Sequence, residues 1–160
     1  MNAAPICAWR GALGGVLLAA LLGAVAPAQA KNCTLVGGAL VFGNYDPIGA
    51  PRQDSVGAVL IDCGGRFQGT LSVSVGNGGG ASYADGRRMT RNEGPGTLKY
   101  NLYTDASRSQ VLGDGTGGSA TLFVEGGNTL LQPIWASILP GQSGVQAGRY
   151  NDVLIVTLSY

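Results

Sequence analysis

Residues Tyr150–Tyr160 read YNDVLIVTLSY, the most strand-like run in the chain. In an extended backbone Leu154, Val156, Leu158 and Tyr160 fall on one face, and Val153 and Ile155 on the other. Apolar residues on both faces predict an interior strand, with neighbours on each side and cover above and below. The given sequence nonetheless stops at Tyr160, and nothing after Asp152 supplies the Lys, Pro or bulge that blunts an exposed edge. Two readings follow. Either another strand of the same chain covers this edge and the domain is closed, or the sheet is one strand short and accepts a strand from another protein by β-augmentation.

The rest of the chain has the same period. Leu71, Val73 and Val75 alternate with Thr70, Ser72 and Ser74, and Leu98, Tyr100 and Leu102 alternate with Lys99 and Asn101. Val59 and Ile61 share parity with Cys63, which places that cysteine on the apolar side of its strand. Such alternation marks half-buried antiparallel strands. Gly43-Asn44-Tyr45-Asp46-Pro47, Gly64-Gly65, Gly76–Gly80, Gly113-Asp114-Gly115 and Gly126-Gly127-Asn128 are turns by composition. They separate about seven expected strands, near 34–42, 55–63, 70–75, 97–103, 119–124, 129–138 and 150–160, with a short extra one within Asp105–Leu112. Pro133 marks an edge or a bulge in its strand. The polar stretch Gly76–Gly96 is expected to be a long surface loop, whose Arg87, Arg88 and Arg91 face water or, in the alternative, meet an anionic surface or glycan. The pattern predicts one all-β domain, a β-sandwich of immunoglobulin-like type.

Composition narrows the function. The 160 residues include 28 Gly, 3 Cys and no His, with 10 Lys+Arg against 9 Asp+Glu. Without His there is no Ser-His-Asp or Cys-His triad and no His-ligated zinc. Near-neutral charge argues against a nucleic-acid partner, whose phosphates must be offset by Lys and Arg. At the N-terminus, Arg10 precedes the apolar run Gly11–Ala26, and Ala28-Gln29-Ala30 follows in the small-x-small form that signal peptidase reads. Sixteen apolar residues are short of the roughly 20 a membrane span needs. Residues 1–30 are therefore expected to be a signal peptide and residues 31–160 the exported domain, with no membrane span after cleavage. Cys7 leaves with the signal. In an exported chain Cys33 and Cys63 most simply form a disulfide.

The acidic residues are the candidates for chemistry. Asp105 and Asp114 invite a calcium reading, but the EF-hand series of oxygen ligands is missing and Asx turns explain both. Asp85 with Glu93 is the best available carboxylate pair for a glycosidase, and nothing in the sequence fixes their separation. Gly76–Gly80 lacks the Lys-Ser/Thr of a phosphate loop. Phe123 and Trp135 fit a sandwich core better than a sugar platform. No catalytic residue, cofactor or metal is expected, and the protein is read as not an enzyme.

Several pieces occur together and in order. They are Cys33 with its strand, the strand ending at Cys63, the block Tyr100-Asn101-Leu102-Tyr103-Thr104-Asp105 and Gly113-Asp114-Gly115-Thr116-Gly117-Gly118. Ile138-Leu139-Pro140-Gly141-Gln142 and Gly148-Arg149-Tyr150-Asn151-Asp152 complete the set. This set resembles the spore coat protein U domain family over essentially the whole exported chain. The family includes pilin subunits of the archaic chaperone–usher pathway. The resemblance implies an incomplete immunoglobulin-like sandwich lacking its last strand. A periplasmic chaperone lends that strand, and the N-terminal extension of a neighbouring pilin subunit replaces it during passage through the outer-membrane usher. The expected product is a cell-surface pilus subunit, with Tyr150, Val153, Leu154, Ile155, Val156, Leu158 and Tyr160 on the acceptor edge. The alternative is a coat or surface binding protein of the same fold that forms no fibre. Cleavage after Ala30 would leave only Lys31 and Asn32 ahead of Cys33, far short of the roughly 33 Å of a ten-residue donor strand. A subunit that accepts but cannot donate would sit at a terminal position such as the tip, although tip adhesins of this pathway resemble two-domain proteins.

Overall fold

The computed structural model describes residues 32–49, 52–76 and 82–160; the expected signal peptide and its cleavage site lie outside them. Among the described residues there are nine strands and no helix. They are β1 (Cys33–Ala39), β2 (Gln53–Cys63), β3 (Phe67–Val73), β4 (Arg87–Arg91), β5 (Thr97–Tyr103), β6 (Leu122–Gly126), β7 (Thr129–Ile138), β8 (Tyr150–Asn151) and β9 (Val156–Ser159). Six form one sheet in the order β1-β2-β7-β5-β4-β8, and three form the other in the order β6-β3-β9. All strand pairs are antiparallel. The chain is the all-β sandwich its alternation predicts.

The inner faces meet in one core. β2 contributes Val59, Ile61 and Cys63; β7 Ile134, Ala136 and Ile138; β5 Leu98, Tyr100 and Leu102; β3 Phe67, Leu71 and Val73. Period two is what places these residues together, since every second side chain in a strand reaches the same face. Burial of each large aliphatic side chain contributes about 1.5–3 kcal/mol. Cys33 and Cys63 are bonded and face each other in register, stapling the start of β1 to the end of β2. Pro133 sits beyond the last β5 partner of β7, Trp135, where β7 has a neighbour on one side only.

Four expectations are corrected. Residues 150–160 are not one interior strand. β8 pairs with β4 and β9 with β3, each as the last strand of its sheet, and Asp152–Ile155 crosses between the sheets. The crossing is fixed locally, because Asp152 accepts a hydrogen bond from the Tyr100 hydroxyl at 2.8 Å while Ser74 N–H donates to the Ile155 carbonyl at 2.9 Å. Leu154, Val156 and Leu158 pack on the core as expected, whereas Val153 and Ile155 are exposed.

The stretch Gly76–Gly96 is not all loop, since it contains β4; residues 77–81 within it lie outside the described residues. Arg87 does not face water. It is 0% exposed and donates from Nε to the Ser74 carbonyl and from Nη2 to those of Leu112 and Val73. Sequence reading missed it because Gly and polar neighbours hide a five-residue strand. Phe123 belongs to the surface rather than the core, and Trp135 is only half-buried. Phe123 is on the face of β6 opposite to buried Val124.

Candidate functional site: a groove between two sheet ends

β1 ends the six-stranded sheet and β9 ends the three-stranded sheet. The two flank one opening, with the start of β1 near the end of β9. At one end Cys33 N–H donates to the Tyr160 hydroxyl at 3.1 Å. Toward the other end, Leu40 and Phe42, just past β1, share a cavity with Tyr150–Leu154, just before β9. The cavity measures about 600 Å³. One wall is Leu35, Gly37–Leu40 and Phe42 from the β1 side, the other is Tyr150–Leu154 and Val156, and Met89, Tyr100, Leu102, Ile134 and Val73 form the floor.

Apolar side chains therefore line a trench between two terminal strands whose outer edges have no strand partner among the described residues. An unpaired edge presents a row of N–H and C=O groups, and buried backbone groups must be paired. The shape that satisfies both edges and fills an apolar trench is an extended peptide with alternating apolar side chains. Among the sequence-predicted residues, Tyr150, Val153, Leu154 and Val156 line the trench. Leu158 packs against the core further along, and Ile155 faces outward. Tyr160, expected on the same face as Leu158, is 59% exposed and caps the disulfide end of the seam through its hydroxyl.

The opposite wall was missed by sequence reading. Its signal was present in β2, whose inner-facing positions run Gln53, Ser55, Gly57 before turning to Val59, Ile61, Cys63. A core strand with polar and Cβ-less residues on its inner face needs something other than a packed sheet above it.

A polar knot braces the floor. Burial first, and then the hydrogen bond to Asp152, push the Tyr100 phenol well above its usual range, so it stays protonated and donates. Burial lowers the Arg87 pKa from its usual value, and the neighbouring Tyr100, Tyr83 and Asp152 oppose that shift. Its guanidinium lies 5.0 Å from the centre of the Tyr83 ring, and Tyr83 donates to the Val73 carbonyl at 3.0 Å. Arg87 Nη1 has no hydrogen-bond partner among the described residues.

The carboxylates considered for chemistry are used locally. Asp105 accepts from Ser107, Ser109 and the Gln110 N–H, and Asp114 from the Thr116 N–H and hydroxyl. Asp85 binds Ser82 in a turn before β4, while Glu93 follows β4. The two carboxylates therefore sit in separate turns beyond opposite ends of β4. Among the described residues no three His, Cys, Asp or Glu side chains gather as metal ligands, and no helix is long and apolar enough to cross a membrane.

Residues 19–157 match the Spore Coat Protein U domain, and the chain belongs to that family. Its fold is similar to a chain in the crystal structure of the CsuC–CsuE chaperone–tip adhesion subunit pre-assembly complex, from the archaic chaperone–usher Csu pili of Acinetobacter baumannii. The TM-score is 0.50 at 16% identity, over 82% of this chain and 40% of that one. At this identity the likeness is one of fold. The chain spans about two-fifths of the length of that neighbour. No curated protein matches the sequence.

Proposed function

We propose that this protein is a structural subunit of a cell-surface pilus of the archaic chaperone–usher type, and that its groove accepts a strand from a partner. One observation carries the reading: the terminal strands of the two sheets, β1 and β9, flank a single apolar trench of about 600 Å³. Family membership and the fold of the Csu neighbour support it. The first occupant is a strand of a periplasmic chaperone, and the second is an extended segment of a neighbouring subunit, exchanged at an outer-membrane usher. Strand exchange requires no cofactor. Main-chain hydrogen bonds give affinity, and the pockets for alternate side chains give register. Residues 1–30 act as the leader that sends the chain to the periplasm, and residues 31–160 form the subunit.

The terminal, tip-like position is the finer part of the reading. It rests on cleavage after Ala30, which leaves Lys31 and Asn32 before Cys33. Mass spectrometry of the exported protein tests it: ten or more residues ahead of Cys33 would remove the tip assignment.

The groove itself is tested by export with and without the cognate chaperone. Co-export should yield a one-to-one complex melting about 10 °C or more above the free chain, as ligation of the folded state alone requires. A free chain that is monomeric, heat-resistant and forms no such complex would overturn the acceptor reading in favour of a self-sufficient coat or surface protein.

A further inference from the structure

The wall opposite the C-terminal run is not a continuation of β1. Beyond Ala39 the chain leaves the edge of β2 and passes across that strand's inner face. A Cβ on Gly57 would collide with the Ala39 carbonyl oxygen and the Leu40 Cβ, so the crossing depends on glycine there. Three successive inner positions of β2 serve the crossing segment. Gly57 gives it room, Ser55 Oγ donates to the Val41 carbonyl, and Gln53 Nε2 donates to the Phe42 carbonyl. Val41 and Phe42 belong to no strand ladder, so side chains rather than a partner backbone hold these two carbonyls.

The segment is apolar on the inside, with Gly43 directly after it and Gly37 two paired residues before it. Leu40 and Phe42 pack on the core, and the Phe42 ring meets Tyr100 edge-on at 5.7 Å between centroids. Val41, between them, is 77% exposed. Gly37, at φ +151° beside the register break of β1, precedes the segment, and Gly43, at φ +76°, follows it. Both angles lie where glycine alone is comfortable, and such positions absorb the backbone rotation of hinge motions. The far end of the same seam is pinned instead, by the Cys33–Cys63 bond and by Tyr160 on Cys33. Any widening of the trench is therefore directed to the Leu40–Phe42 end.

We propose that Leu40–Phe42 is a strap. It rests on Gln53, Ser55 and Gly57 while the groove is vacant, and it is released from those side chains when an extended apolar segment of another chain enters. Its main chain then pairs with that segment, exchanging two side-chain hydrogen bonds for backbone ladder bonds. The strap partly covers the apolar floor before a partner arrives, and its release is the step that gates strand capture. This rests on the acceptor reading above and adds to it the residues that control entry.

The test uses the full exported chain and, as probe, a fluorescent eleven-residue peptide of alternating Thr and Val with Lys at each end. Anisotropy gives its capture rate by wild type and by the double variant Gln53→Ala/Ser55→Ala, and hydrogen exchange follows the Val41 and Phe42 amides. The strap predicts capture roughly tenfold faster in the double variant, since two modest hydrogen bonds no longer resist release. It also predicts that the two wild-type amides gain protection once peptide is bound, a measurement that stands even where the variant fails to fold. Equal capture rates, or wild-type amides unchanged by bound peptide, would overturn the strap and leave the acceptor groove intact. Capture by neither protein would overturn the groove, and the strap with it.

Discussion

Replacing Arg87 with leucine should cost more stability than any other single change at a charged residue. Arg87 is wholly buried, and its guanidinium holds carbonyls from two separate parts of the fold: Val73 and Ser74 at the end of β3, and Leu112 in the connection between β5 and β6. In Arg87→Leu the Val73 carbonyl keeps the Tyr83 hydroxyl, but the Ser74 and Leu112 carbonyls lose the guanidinium donor. Each buried acceptor left without its donor costs about 1–3 kcal/mol. Relief from burying a charge offsets part of this. Two such carbonyls, less that relief, give a net expected loss of about 2–4 kcal/mol, a large share of the 5–15 kcal/mol typical of a whole domain. Guanidinium unfolding of the exported chain, followed by Trp135 fluorescence, measures it. Arg87→Lys keeps the charge but not the planar fork, and should fall between the two. A loss under about 1 kcal/mol in Arg87→Leu would refute the view that this side chain ties the sheets together.

Four further outcomes follow from the same geometry. Reducing Cys33–Cys63, or Cys63→Ser, opens a loop with a sequence separation of 30 and should lower unfolding free energy by roughly 3–4 kcal/mol, read as a shift in denaturant midpoint. Burial raises the Asp54 carboxyl, but hydrogen bonds from Ser137 and Arg52 and the charges of Arg108 and Arg52 outweigh it and hold the group below its ordinary 3.8. A depressed folded-state pKa contributes stability that is present above the ordinary value and is lost as pH falls through the folded one. Stability should therefore be level near neutrality and decline below about pH 4, less steeply in Asp54→Asn, in a pH series of urea midpoints. Tyr160→Phe removes the hydroxyl bonded to Cys33 and should cost about 1 kcal/mol or less, with faster exchange of the Cys33 amide as the local readout. Gly57→Val should destabilise by about 1–3 kcal/mol through its collision with Ala39 and Leu40, detected by thermal melting.

The outcome for residues 150–160 shows where pattern stops. Alternation correctly turned Leu154, Val156 and Leu158 toward the core. It also made the run look like a strand buried on both faces, because Val153 and Ile155 are apolar too. What splits it is a pair of contacts from distant segments, Tyr100 on Asp152 and Ser74 on Ile155, which local spacing does not encode. Arg87 is a similar case: a charged residue after Gly86 looks solvated until Val73, Ser74 and Leu112 are brought around it.

The amino-acid order by itself pointed to the strand period, the breaks at Gly64-Gly65, Gly113-Asp114-Gly115 and Gly126-Gly127-Asn128, the pairing of Cys33 with Cys63 and the absence of any histidine-based chemistry. These depend on neighbours along the chain, or on residue type alone. Tertiary structure decided that β1 and β9 end different sheets on the two sides of one trench, and that Leu40–Phe42 supplies its second wall. Those facts depend on which segments meet after the chain has turned back on itself, and a period of two carries no information about which strand a given edge will face.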